Sequence, residues 1–181
     1  MDADDISLPE RLERQVGFME KHQDIGLCGT WVEKFGKGVS AINKYPGSSE
    51  KIQAYTLFDC PFAHPSVMFR KELFSKHSLT YDGDYYPTED YELWARAIEH
   101  FPAANLLTVL LKYRVHADSM TNSDWQEMDD QAAKVAKRQL GKLGLEVSED
   151  ELLFHRNIGR GSSFRVGNMT ELTRGEAWLL Q

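Results

Sequence analysis

Met1-Asp2-Ala3-Asp4-Asp5-Ile6-Ser7-Leu8-Pro9-Glu10-Arg11 opens the chain, and the rest of the sequence is organised around it. Three carboxylates stand directly ahead of helix-start signals. Ser7 followed three residues later by Glu10 is a capping box, and Pro9 suits a first helical turn. In an extended segment Asp2 and Asp4 share a face, because side chains alternate along a strand. Such a pair attracts a hard divalent cation. Magnesium or manganese takes one or two protein carboxylates and fills its other positions with water and substrate phosphate oxygens. The plainer alternative is a solvated terminus.

The chain has 181 residues, enough for one domain with a real core or one domain with a helical appendage. Its 41% hydrophobic and 27% charged residues are those of an ordinary globular protein. A net charge of -7 argues against a nucleic-acid partner, which needs a basic face to neutralise phosphates. Cys28 and Cys60 show neither zinc-site spacing nor a disulfide framework, so a reducing, cytoplasmic location is expected. The longest strongly apolar stretch, Ala103 to Leu111, is too short to span a bilayer.

Working outward from the acidic segment, Leu12, Val16 and Met19 continue at helical spacing, which predicts a helix from about Leu8 to Lys21. Ile25 to Val32 is a buried strand whose glycines signal close backbone approach. Gly36, Gly38, Pro46 and Gly47 mark a hairpin-like excursion, and a short helix follows from about Glu50 to Phe58. The turn Cys60 to Pro65 leads into a β-prone segment, Ser66 to Arg70. His64 in that turn suits either packing beside Pro65 or a place in a pocket.

Thr88 is placed to cap a helix from Asp90 to about His100. Glu89 and Asp90 at its start are favoured by the helix dipole whether or not they do chemistry. Leu106 to Val115 is a strand leading through Tyr113-Arg114-Val115-His116 into a polar loop. Beyond it Trp125, Met128, Ala132, Val135, Ala136, Leu140 and Leu143 predict a long amphipathic helix ending near Gly144, and Ser148 with Glu151 is a further capping box. The expected fold is α/β: a mixed sheet with packed helices over residues 1–120, and a helical region over 121–181 packed on it.

Four ordered segments, DADDIS-PERLE at 2–13, HPSVMFRKE at 64–72, TEDYELWARA at 88–97 and YRVH at 113–116, together resemble the second half of a family 2 glycosyltransferase with the GT-A fold. The resemblance implies transfer of a sugar from a nucleoside diphosphate donor to a glycan or other acceptor hydroxyl, usually with inversion at the anomeric carbon. It implies Asp2 and Asp4 as metal ligands for magnesium or manganese, with His116 reaching the metal or diphosphate. It implies Asp90, in the Glu89-Asp90 pair, as catalytic base, with His64 and Arg114 lining the substrate site.

The chain departs from the family pattern in what precedes the Asp-x-Asp segment, where only Met1 stands in place of a nucleotide-binding half. The expectation is therefore a fragment that binds donor weakly and is inactive alone. A homodimer, and peripheral membrane association of a longer parent protein, are further expected partners. The alternative is a non-catalytic glycan- or protein-binding module on a remnant core. An aspartyl phosphatase is disfavoured, because Met1 and Asp5 are the wrong neighbours for that motif.

Overall fold

The computed structural model describes residues 1–36, 38–116, 125–159 and 169–180. A mixed sheet runs in the order β1 (Ile6–Ser7), β5 (Ala103–Arg114), β2 (Leu27–Gly36), β3 (Val39–Asn43), and β4 (Met68–Phe69) pairs with the start of β2. The central β2 and β5 are parallel, in register from Leu27 opposite Ala103 to Phe35 opposite Arg114, with an irregularity around Trp31. Leu27, Cys28, Gly29 and Thr30 are all buried, as a strand covered on both faces requires. The other pairings are antiparallel, so the sheet is mixed α/β as expected.

Between β2 and β5 the chain forms α2 (Ser49–Thr56), a single turn at His64–Ser66, α3 (Lys71–Lys76), a turn at Gly83–Tyr85 and α4 (Glu89–Ala97). The main core lies where α4 meets the sheet. Leu93, Trp94 and Ala97 pack with Leu27, Ile52, Phe62, Phe74 and Phe101. A Cβ on Gly29 would collide with Asn105 Oδ1 and the Phe62 ring, which explains why a glycine stands in this central strand.

Among the described residues three further helices follow: α5 (Trp125–Lys142), α6 (Glu149–Gly159) and α7 (Met169–Leu179). Helix α5 docks on α4 through Tyr91 and Ala95 against Ala132 and Val135. Across the same interface Glu92, 1% exposed, pairs with Arg96 of its own helix and Arg138 of α5, both at 2.7 Å. Helix α6 packs on α5 through Leu152 against Ala136 and Leu140. The Ser148–Glu151 capping box forms as expected, each residue bonding the other's backbone N–H. The expected polar loop after His116 and the boundary near residue 120 lie outside the described residues.

Local signals were overridden at several places. The first helix, α1, spans Arg11–Lys21 rather than starting at Leu8, and Glu10 is its N-cap without a side-chain cap bond. Ser7 pairs with Leu111 in the sheet and its hydroxyl donates to Leu8 O, so strand pairing has taken the residue from the capping box. Thr88 does stand at the N-cap of α4, but its hydroxyl donates to Tyr85 O instead of accepting from the helix. The expected strand Ser66 to Arg70 is reduced to Met68–Phe69, because Ser66 closes the preceding turn through Ala63 O.

Candidate active site

The acidic segment is not extended. Asp5 N–H donates to Asp2 O at 3.3 Å, closing a turn, so Asp2 and Asp4 do not share a strand face. The segment is instead fastened to the end of β5. Arg114 N–H donates to Asp5 Oδ1 at 3.1 Å, and Arg114 Nε donates to Asp4 O at 3.0 Å. Asp4 Oδ2 lies 3.8 Å from Arg114 Nε and 3.5 Å from His116 Nε2. The structure thus brings Asp4, Arg114 and His116 together, and leaves Asp2 exposed with its N–H on Asp5 Oδ2. Among the described residues no group of three or more His, Cys, Asp or Glu side chains gathers as a metal site.

A second cluster lies where the His64–Ser66 turn meets the start of α4. His64 Nδ1 is 3.7 Å from Asp90 Oδ2, an ion-pair rather than a hydrogen-bond separation. His64 Nε2 and the Tyr81 hydroxyl are 2.8 Å apart. The turn is held by α1: Gln15, 1% exposed, donates to both Cys28 O and Ser66 O, and Arg11 donates to Pro65 O. Asp90 Oδ1 accepts from Tyr91 N–H at 2.7 Å, which fixes the carboxylate at the helix start. Burial pushes the Asp90 carboxyl above the ordinary carboxylate range, although His64 beside it works in the opposite direction.

Asp90 and His64 open on a cavity of about 590 Å³. Lys34 and Tyr113, opposite each other in the β2–β5 ladder, line one wall, and Trp125 and Asp129 of α5 line another. Arg156 of α6, bonded to Asp129 and Phe58 O, also contributes. Phe35 and Arg114, the next ladder pair, alternate to the other face, and the Arg114 guanidinium stacks 4.4 Å over the Phe35 ring. None of Asp4, Arg114 and His116 lines the cavity. Glu89 is turned away as well, with its buried Oε2 lacking a hydrogen-bond partner among the described residues.

Two contributors were not singled out from the sequence. Tyr81 carried a signal only as one of several aromatics in an acidic loop, and Asp5 stood beside the two aspartates that fit the motif. Both act through partners distant in the chain, which no local pattern shows.

Residues 1–78 match the model of glycosyl transferase family 2. The chain is 38% identical over 120 residues to the amylovoran biosynthesis glycosyltransferase AmsE of Erwinia amylovora, covering 65% of this chain and 44% of the relative. It is 37% identical over 128 residues to the O-antigen biosynthesis glycosyltransferase WbnJ of Escherichia coli, covering 68% and 49%. It is 35% identical over 100 residues to the Escherichia coli UDP-Gal:alpha-D-GlcNAc-diphosphoundecaprenol beta-1,3-galactosyltransferase, covering 54% and 35%. The chain spans about half the length, or less, of these relatives.

Proposed function

We propose that the chain is part of a family 2 glycosyltransferase, an enzyme moving a sugar from a nucleoside diphosphate donor to an acceptor hydroxyl, with inversion and with Asp90 as general base; the family match over residues 1–78 and the glycosyltransferase relatives support this reading. The single observation that carries the assignment is that Asp90, not Glu89, lines the cavity beside His64. An alcohol is a poor nucleophile at neutral pH, and a carboxylate within hydrogen-bond reach accelerates its attack roughly 100- to 10,000-fold. Burial that raises the Asp90 carboxyl also makes it a better proton acceptor when ionised. The cavity gives the acceptor aromatic and charged walls, including Tyr113, Trp125, Lys34 and Asp129.

Asp4 and His116 would hold magnesium or manganese, their donor atoms 3.5 Å apart. Two protein donors fit an ion that takes its remaining positions from water and phosphate oxygens. Such an ion, when bound, stabilises the charge that develops on the leaving diphosphate. Arg114, already against Asp4, is the cation of this cluster that would face the same diphosphate. The galactosyltransferase relative is named for a UDP-galactose donor and a lipid-linked acceptor, which makes UDP-sugars the first donors to try. Two free cysteines suit a cytoplasmic site of action.

The test is release of UDP from UDP-galactose, UDP-glucose and UDP-N-acetylglucosamine with manganese and hydroxyl acceptors. It is run on the chain alone and on the chain joined to the N-terminal part of the Erwinia relative. Asp90→Asn should lower release at least about a hundredfold with fold and donor binding kept. Release that survives Asp90→Asn and is lost in Glu89→Gln overturns the assignment.

A second reading, a glycan-binding module without catalysis, draws on the aromatic residues of the cavity and on the engagement of Asp4 by Arg114. Glycan binding that needs no metal and is unchanged in Asp90→Asn would favour it.

A further inference from the structure

Asp90 is not an isolated carboxylate. Its Oδ2 faces His64 Nδ1 at 3.7 Å, and the other nitrogen of the same ring, Nε2, meets the Tyr81 hydroxyl at 2.8 Å. The Asp90 side chain is 23% exposed, His64 45%, and Tyr81 as a residue 50%, so the array runs from the cavity wall to solvent. Trp94, 1% exposed, stands edge-on to both rings, with centroids 5.9 Å from His64 and 6.3 Å from Tyr81. The buried indole edge thus packs against both rings. The geometry points to a relay in which His64 and Tyr81, acting through Asp90 as positioning residues, carry away the proton that Asp90 takes from the acceptor hydroxyl.

The relay rests on the transferase proposal for the origin of its proton, but the Asp90–His64 coupling does not. The step balances as follows. The acceptor oxygen forms its bond to the anomeric carbon as the bond to the diphosphate oxygen breaks, and that electron pair leaves with the diphosphate. The hydroxyl proton passes to Asp90 and on to His64 Nδ1. The Nε2 proton passes to the Tyr81 oxygen, and the Tyr81 proton goes to water. For this the neutral ring must carry its proton on Nε2, the tautomer in which Nε2–H donates to the Tyr81 oxygen. Catalytic contacts are often long without substrate and tighten when it binds, which suits a 3.7 Å gap.

The charged and titratable surroundings are mixed. Glu89 on the same helix, Cys60 after α2, and Tyr81 lie close to Asp90, and the negative charges among them oppose its ionisation. Asp59 and Asp129 face the cavity too, balanced by Lys34, Lys44 and Arg156. Among the described residues His64 is the cation-forming group within ion-pair distance of the carboxylate itself.

The experiment is carbon-13 carboxyl NMR of the full chain for Asp90 and nitrogen-15 imidazole NMR for His64, in wild type, His64→Gln and Tyr81→Phe. His64→Gln should raise the Asp90 titration midpoint further, because glutamine cannot take up the proton that makes the ring a counter-charge to the Asp90 carboxylate. Neutral His64 should be the Nε2–H tautomer, and Tyr81→Phe should erode that preference. With turnover established, His64→Gln should move the acid limb of the pH–rate profile upward by the same amount, and Tyr81→Phe should lower kcat with KM kept. An Asp90 midpoint unmoved in His64→Gln, or a neutral Nδ1–H tautomer in wild type, overturns the relay. Turnover with an unmoved midpoint overturns the relay alone and leaves the transferase reading intact. A moved midpoint, with no nucleotide released from any donor by the chain joined to the N-terminal part of the Erwinia relative, supports the coupled pair and overturns the transferase reading instead.

Discussion

Asp4 and Arg114, 110 residues apart in the chain, are joined by a 3.0 Å hydrogen bond from Arg114 Nε to Asp4 O, with the Asp4 carboxylate 3.8 Å from the same nitrogen. The contact places Asp4 beside His116, whereas Asp2 is exposed at the start of a turn closed by Asp5 N–H on Asp2 O.

Metal affinity should follow that division. Asp4→Asn and His116→Ala should each weaken manganese binding, read by electron paramagnetic resonance in the presence of UDP, by about tenfold or more. Asp2→Asn should do much less. Equal losses for Asp2 and Asp4 would show that both carboxylates reach the ion after all.

Glu92 is the buried anion that joins α4 to α5. Burial pushes its carboxyl up, but hydrogen bonds and charge from Arg96 and Arg138 outweigh that and hold it below the ordinary glutamate value. The unfolded chain then binds more protons in the window between the two values. The stability contributed is complete above the ordinary value of about 4.3 and is lost as pH falls through the lowered one. Glu92→Gln should cost about 3 kcal/mol near neutrality, since two partly buried guanidinium groups lose their anion. Urea denaturation of both proteins at neutral and acid pH checks this: the gap should narrow as the pH falls.

His155 is 1% exposed and stacks on Phe58. Its Nε2 meets Leu57 O at 2.7 Å and its Nδ1 accepts from Trp178 Nε1–H at 3.0 Å. Protonation of Nδ1 would replace that acceptor by a donor and break the bond to α7. Burial holds the imidazole below its ordinary value. The stability it contributes is present above the unfolded value of about 6.5 and is lost as pH falls through the lowered folded value. Tryptophan emission should shift to the red over that acid window, and the part of the change due to undocking should vanish in Trp178→Phe.

Gly29→Ala should destabilise by about 1–3 kcal/mol, the usual cost of overpacking a filled core. The added methyl meets Asn105, whose Nδ2 binds Pro46 O and Pro61 O, and Phe62, which lines the cavity. Thermal unfolding measures the loss. A substitution at Gly83, where a Cβ would meet nothing within 4 Å, serves as the control.

The elements whose signal repeats along the chain are legible before any folding is considered. The apolar spacing from Trp125 to Leu143 marks α5, the continuous apolar runs mark β2 and β5, and the glycines at 26 and 29 announce close packing. The chain also carries the four ordered segments that indicate the family, because their order is itself a property of the sequence. Those signals suffice because a helix stripe, a buried strand and a motif are each written within a few consecutive residues.

How those elements act on one another depends on contacts made in the folded chain. Ser7 left its capping box because β5 offered it a strand partner, and the acidic segment became a turn because Arg114 holds Asp4 and Asp5. Asp90 rather than Glu89 meets His64, and Tyr81 joins them, because α4 is rotated by its burial of Leu93 and Trp94 against the sheet. Each outcome rests on bonds between residues 17 to 110 apart, and contacts of that range have energies set by the assembled fold, which leave no periodic trace in the chain.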